Sequence, residues 1–298
     1  MKVKELQSLF LKGTVIGILK DINLRPSSSF NTWRKQDGLK TLLEIQNLRI
    51  SFGPLKVVDG VSLSLKEGEF FALVGESGSG KTLTALSVTR LLPNAATLES
   101  GSVFFQKTDL LRLSEEALRS FRGGKIGYVF QEPSTSLNPV LTIGDQIVEA
   151  ILLHGKRDKQ SARKEAAAML EKVGIPSAST ILEAYPHQLS GGMKQRAMIA
   201  MALAPHPRLL LLDEPTTALD VTIQAQILEL LLQMKREMSL TIFFITHDLG
   251  LVSAVADHVA VMQKGKLVEE GSRDAIFSHP KHPYTEMLLQ CMEFKTLS

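Results

Sequence analysis

The sequence predicts an α/β domain built around a mostly parallel sheet, and three observations carry that expectation. Phe70-Phe71-Ala72-Leu73-Val74 is an unbroken apolar run, as a strand buried on both faces requires. Runs of the same kind recur at 209–212 and 242–245. Stretches with helical spacing stand between them, at 81–92, 162–173, 193–203 and 223–238. Strands that alternate with helices pair in parallel through helical crossovers.

The chain opens differently. Residues 1–40 hold eight basic side chains (Lys2, Lys4, Lys12, Lys20, Arg25, Arg34, Lys35, Lys40) against three acidic ones (Glu5, Asp21, Asp37), a net +5. The whole chain has a net charge of +3, so the rest carries −2. Residues 1–41 therefore read as a basic extension and linker, poorly ordered as termini commonly are. A basic amphipathic helix on an anionic membrane is the alternative. The run 9–19 is the nearest approach to a membrane span, but Lys12, Gly13 and Gly17 interrupt it. No small-x-small cleavage site follows, so export is not expected.

From Leu42 the texture is that of a folded domain. Leu43, Ile45 and Ile50 suggest a strand with one exposed face, and Val61, Leu63 and Leu65 a second, closed by the Glu67-Gly68 turn. The 298 residues are 44% apolar, which excludes wholesale disorder. A single cysteine, Cys291, excludes an internal disulfide framework and a four-cysteine metal site.

Strand 70–74 runs into Gly75-Glu76-Ser77-Gly78-Ser79-Gly80-Lys81-Thr82 and then into a helix. This is G-x-x-x-x-G-K-[ST] in its required strand–loop–helix setting. Glycines let successive N–H groups turn inward on phosphate oxygens, beside the positive end of the helix. Lys81 is expected to reach the β- and γ-phosphates and the Thr82 hydroxyl to hold Mg²⁺. A chance match is expected in roughly 1% of chains this long, and the flanking strand and helix lower that further. Run 209–212 ends in Asp213-Glu214, which places two acids at the carboxyl edge of the sheet, where open α/β sheets bind ligands. Asp213 suits the Mg²⁺ site, directly or through water. Glu214 points elsewhere and suits a general base on an attacking water.

Three further segments complete a pattern. Leu189-Ser190-Gly191-Gly192-Met193-Lys194-Gln195-Arg196 opens a helix, Gln131 follows the apolar run 126–130, and His247 follows the third buried strand. In this order, and with Ala218-Leu219-Asp220 after the acids, residues 42–292 resemble the ATP-binding subunit of an ABC transporter. The resemblance implies a RecA-like P-loop NTPase core with mostly parallel sheet, an antiparallel β subdomain and a helical subdomain inserted at about 132–190. It implies that Phe52 stacks on adenine, that Gln131 touches Mg²⁺ and the attacking water, and that His247 holds the γ-phosphate. It also implies that Ser190, Gly191 and Gly192 close on ATP held by a second ATPase subunit, with Asp220 at the seam. A lone chain then has half of each active site.

The segment 131–139, Tyr185-Pro186-His187 and His282-Pro283-Tyr284-Thr285 look like the oligopeptide/dipeptide/nickel importer branch, with a tail at about 272–292 and a short end at 293–298. That branch implies ATP and Mg²⁺, two membrane permease subunits, an extracytoplasmic binding protein acting indirectly, and a peripheral place on the cytoplasmic face of the membrane. His279 and His282 form an H-x-x-H pair, but prolines flank them and no third ligand stands nearby.

Two other readings compete. One is a soluble ABC-type ATPase working on DNA or ribosomes, whose chromosome-type members separate the phosphate loop and signature by a long coiled coil and whose ribosome-acting members usually carry two cassettes. Neither is present, and the −2 balance outside the extension disfavours a phosphate-backbone partner. A P-loop kinase or GTPase leaves the Ser190-Gly191-Gly192 turn and His247 unexplained.

Overall fold

The computed structural model describes residues 40–217 and 219–295; the basic extension expected at 1–41 lies almost wholly outside them. Ten strands form two sheets among the described residues. The first is antiparallel, in the order β2-β1-β4-β5, from β1 (Thr41–Phe52), β2 (Leu55–Lys66), β4 (Thr97–Phe105) and β5 (Thr108–Asp109). The second has the order β10-β9-β3-β8-β7-β6. It contains β3 (Phe70–Val74), β6 (Ile126–Val129), β7 (Leu209–Asp213), β8 (Thr241–Thr246), β9 (His258–Gln263) and β10 (Lys266–Ser272). All its neighbours are parallel except β9 and β10.

The apolar runs at 70–74, 209–212 and 242–245 are the centre of the second sheet. Alternate residues enter different cores. Phe70, Ala72, Leu210, Leu212, Ile242 and Phe244 face the helices. Phe71, Leu73, Leu209, Leu211, Phe243 and Ile245 face the antiparallel sheet and the first helix. Each face is covered, so polar residues have no place in these strands.

The helices are α1 (Lys81–Val88), α2 (Glu115–Arg119), α3 (Pro133–Ser136), α4 (Ile143–His154), α5 (Lys159–Lys172), α6 (Ala178–Leu182), α7 (Gly191–Leu203), α8 (Val221–Met238), α9 (Leu249–Val255), α10 (Arg273–Ser278) and α11 (Pro283–Lys295). Helices α3 to α6 occupy the segment between Gln131 and Ser190, α7 begins directly after it, and α4 packs on α5, α6 and α7. Side chains at their N-termini accept the free N–H groups: Thr142 from Asp145, Asp158 from Gln160 and Ser161, Ser190 from Met193.

Three local differences from the sequence pattern have plain causes. Helix α1 stops at Val88 rather than 92, because Arg90 turns left-handed (φ 52°) and the Leu91 N–H bonds back to the Leu86 carbonyl. Pro93 also disfavours helix at Leu92. Helix α5 begins three residues before the expected Ala162, at the Asp158 cap. In β1, Ile45 and Ile50 are an odd number of residues apart, yet both are buried. A bulge after Ile45, with Asn47 at φ 46°, shifts the register and restores the inward face.

Candidate active site

Parallel pairing brings the expected chemistry to one sheet edge. Val74 is opposite Thr246, and Asp213 is opposite Ile245. Val129 is opposite Leu212, so Gln131 leaves the sheet just beyond Asp213. The phosphate loop, Glu214, His247 and Gln131 thus all follow carboxyl ends of neighbouring strands. Gln131 is exposed there.

The loop itself is pressed into the fold. A Cβ on Gly75 would stand 2.1 Å from the Met262 carbonyl oxygen, and one on Gly80 2.7 Å from the Val57 carbonyl oxygen. Gly80 precedes α1 at φ 101°, a conformation that glycine adopts without strain. Ser79 closes the turn by donating its N–H to Glu76 O (3.2 Å), and its own carbonyl accepts from the Gly265 N–H (3.0 Å). Lys81 is 4% exposed. Its Nζ donates to the carbonyls of Gly75 and Glu76, both at 2.8 Å. Burial pulls the Lys81 ammonium below its usual range, against Glu214, Asp213 and Glu76, which support the charge. The Ser79 hydroxyl is buried without a hydrogen-bond partner, as befits a loop whose donors await an anion. Phe52 closes the β1–β2 hairpin opposite Leu55, two residues before the Val57 that packs on Gly80.

Thr82 Oγ1 donates to Asp213 Oδ1 at 3.0 Å. Asp213 is 3% exposed, and burial pushes its carboxyl above the usual range. A hydroxyl at the surface beside a buried carboxylate is hard-oxygen chemistry and fits Mg²⁺. Two oxygens at adjacent corners of a Mg²⁺ octahedron stand about 3 Å apart, given metal–oxygen distances of about 2.1 Å.

Glu214 turns away from Asp213 because its backbone is left-handed (φ 45°). That conformation costs a non-glycine residue about 1 kcal/mol and marks a constrained position. Its N–H donates to Ile245 O (2.9 Å), tying it to β8. Glu214 Oε2 accepts from Thr217 Oγ1 at 2.9 Å and stands 3.2 Å from His247 Nδ1. One carboxylate oxygen is thereby anchored twice.

Ser190, Gly191 and Gly192 are not part of this edge. They open α7, whose neighbours are α3, α4, α5 and β6. A Cβ on Gly192 would come within 3.0 Å of Ile223, so the turn abuts the start of α8. Asp220 caps α8 by accepting the Ile223 N–H at 2.9 Å, a structural task within this chain. Sequence reasoning missed Thr217 and Tyr128. Thr217 gave no signal. Tyr128 did: it is the polar-tipped residue of the run 126–130, and burial, with Asp213 beside it, pushes its phenol far above the usual range.

Known proteins are similar to this chain in sequence and in fold. The ABC transporter family profile matches residues 58–217. A second profile, the C-terminal region of oligopeptide/dipeptide transporters, matches 268–294. The dipeptide transport ATP-binding protein DppD of Bacillus subtilis is 52% identical over 84% of this chain and 76% of its own length. The glutathione import ATP-binding protein GsiA of Escherichia coli is 50% identical over 83% of this chain, which spans only 41% of it. Among solved structures, the dimeric cassette MJ0796 bound to ADP and Pi superposes with a TM-score of 0.69 at 28% identity, over 78% of this chain and 98% of that one. The cbiO1 subunit from Clostridium perfringens, part of the ABC transporter complex cbiONQ, gives 0.71 at 27% identity, over 80% and 92%. The chain therefore belongs to the ABC transporter family of ATP-binding subunits, in the branch defined by the oligopeptide/dipeptide C-terminal region.

Proposed function

We propose that this chain is the ATP-hydrolysing subunit of an importer that takes up peptides. One observation carries the reading: the phosphate loop, the Thr82–Asp213 pair and the anchored Glu214 end at one sheet edge, in a chain with a peptide-transporter tail. The dipeptide, oligopeptide and glutathione transport names of its relatives support the cargo class.

In the reaction, the amides of 75–82 and Lys81 hold the triphosphate, and Phe52 stacks on adenine. Thr82 and Asp213, with Gln131 approaching, are the residues to hold Mg²⁺. Once bound there, the ion would supply positive charge against the phosphate oxygens. Glu214 takes a proton from water, the water oxygen attacks the γ-phosphorus, and the bond from that phosphorus to the ADP oxygen breaks. His247 donates toward the γ-phosphate while anchoring Glu214. Ser190, Gly191 and Gly192 close on the nucleotide of a second ATPase subunit, with Asp220 at the seam.

No described helix is long and apolar enough to cross a membrane. Transport therefore calls on partners: two permease subunits, with an extracytoplasmic binding protein acting on them, and this chain peripheral on the cytoplasmic face. The test is uptake into proteoliposomes rebuilt with the permeases and binding protein. Peptide accumulation that needs both ATP and this chain is expected. Uptake of nickel without peptides, or peptide uptake when this chain is omitted, would overturn the reading.

A further inference from the structure

The His282-Pro283-Tyr284-Thr285 motif has no task in the reaction above, yet it reaches the phosphate loop. Tyr284 is 5% exposed. Its Oη accepts a hydrogen bond from the main-chain N–H of Glu76 at 3.2 Å, from 208 residues away in sequence. Glu76 is the second residue of the loop. Its carbonyl accepts from Lys81 Nζ, so both peptide groups that flank this residue are hydrogen-bonded.

The tail that delivers Tyr284 is itself fixed. Glu269 on β10 accepts the N–H groups of Lys281 (2.8 Å) and His282 (3.1 Å). His282 Nδ1 accepts the N–H of Tyr284 at 3.2 Å, at the start of α11. Helix α11 then packs on α9, which begins two residues after His247. The motif therefore bridges β10, α9 and the phosphate loop.

We propose that Tyr284 is a positioning residue that pre-organises the phosphate loop. Its hydroxyl fixes the peptide ahead of Glu76, so the amides that follow already face the phosphate site. Without that bond the segment gains conformations that nucleotide binding must then remove, which weakens affinity. The inference rests on the phosphate-loop reading proposed above.

Tyr284→Phe keeps the buried ring and deletes only the hydroxyl. Dissociation constants for ADP and AMP, measured by titration calorimetry on the full chain, separate the outcomes. One neutral hydrogen bond corresponds to about a 2- to 10-fold loss. We expect ADP to weaken by that factor. AMP lacks the β-phosphate, and its affinity should stay constant, with the melting temperature within about 2 °C of wild type. Unchanged ADP affinity overturns the proposal. An equal loss for ADP and AMP, or a larger drop in melting temperature, shows a merely structural contact and overturns it too. Lys81→Ala measured in parallel tells two failures apart. ADP loss in Lys81→Ala alone sinks the Tyr284 role, whereas no loss in either variant sinks the phosphate-loop reading beneath it.

Discussion

Glu214 is held by three neighbours: the Ile245 carbonyl and His247 from β8 and its end, and the Thr217 hydroxyl from the turn three residues on. Its left-handed backbone aims the carboxylate away from the buried Asp213. The two acids are adjacent in sequence but have different partners, Asp213 with Thr82 and Glu214 with Thr217 and His247. Glu214→Gln retains the size and the acceptor oxygen while losing the basic one. It should keep ATP binding and lower turnover at least ~10²-fold, the scale of a lost general base, in a phosphate-release assay. Wild-type turnover would remove Glu214 from that role. Most of the site was legible residue by residue, because the phosphate loop, Asp213-Glu214 and His247 are each bounded by an apolar strand. Thr217 gave no signal of its own, and Tyr284 was legible only as part of a motif, because its contact with Glu76 spans 208 residues and only folding creates it.

At the scale of elements, the helices inserted between Gln131 and Ser190 depend on their caps. Helix α5 is long and mostly polar, with Ala162, Ala166, Met169 and Leu170 as its buried stripe. Asp158 holds its first turn through the N–H groups of Gln160 and Ser161 and the Ser161 hydroxyl. The Ser161 hydroxyl, then the main-chain donors, keep the Asp158 carboxyl below its ordinary 3.8. A lowered folded-state value means that the carboxylate form stabilises the fold. That stabilisation is present above the unfolded pKa and is lost as pH falls through the folded one. Asp158→Ala should melt earlier than wild type at pH 7, and the gap should narrow below about pH 4. A gap independent of pH would argue that the charge contributes nothing. The start of α5 also shows why its boundary was hard to read: the cap precedes the first buried residue by four positions. In β3, β7 and β8 the opposite holds. Their apolar runs coincide with the strands almost residue for residue, because both faces are covered. Phe243 stands in that centre, edge-on to Phe71 at 5.7 Å between ring centroids and fully buried. Phe243→Ala should cost about 3–5 kcal/mol in denaturant unfolding, from lost burial and the cavity left behind.

At the scale of the molecule, the site is incomplete in one direction. The phosphate-loop edge holds the proposed base and Mg²⁺ residues, whereas Ser190, Gly191 and Gly192 open a helix among α3, α4 and α5. In the proposed function a second ATPase subunit faces one against the other. Turnover by the purified chain should therefore be low and should rise at least tenfold when it is assembled with its permeases, compared per ATPase subunit. Equal rates would contradict the shared-site arrangement. Charge is also a whole-molecule property here. The +3 total divides into a +5 leader and a −2 remainder, so the cassette itself has no basic excess to offer nucleic acid.

The sequence by itself determined the phosphate loop, the order of the motifs and the central strands. Those features are local: a backbone that must turn on glycines, and strands that must be apolar on both faces. Tertiary structure decided what distance in sequence conceals. It set the strand order β10-β9-β3-β8-β7-β6, which gathers four loop ends at one edge. It also set the bulge at Asn47 and the reach of Tyr284 across the fold to Glu76. The bulge belongs to the antiparallel pairing of β1 with β2 and β4, whereas the other two share one physical reason. A parallel sheet pairs strands that are far apart in the chain, and neither their register nor the contacts beyond their ends leave a trace in local periodicity.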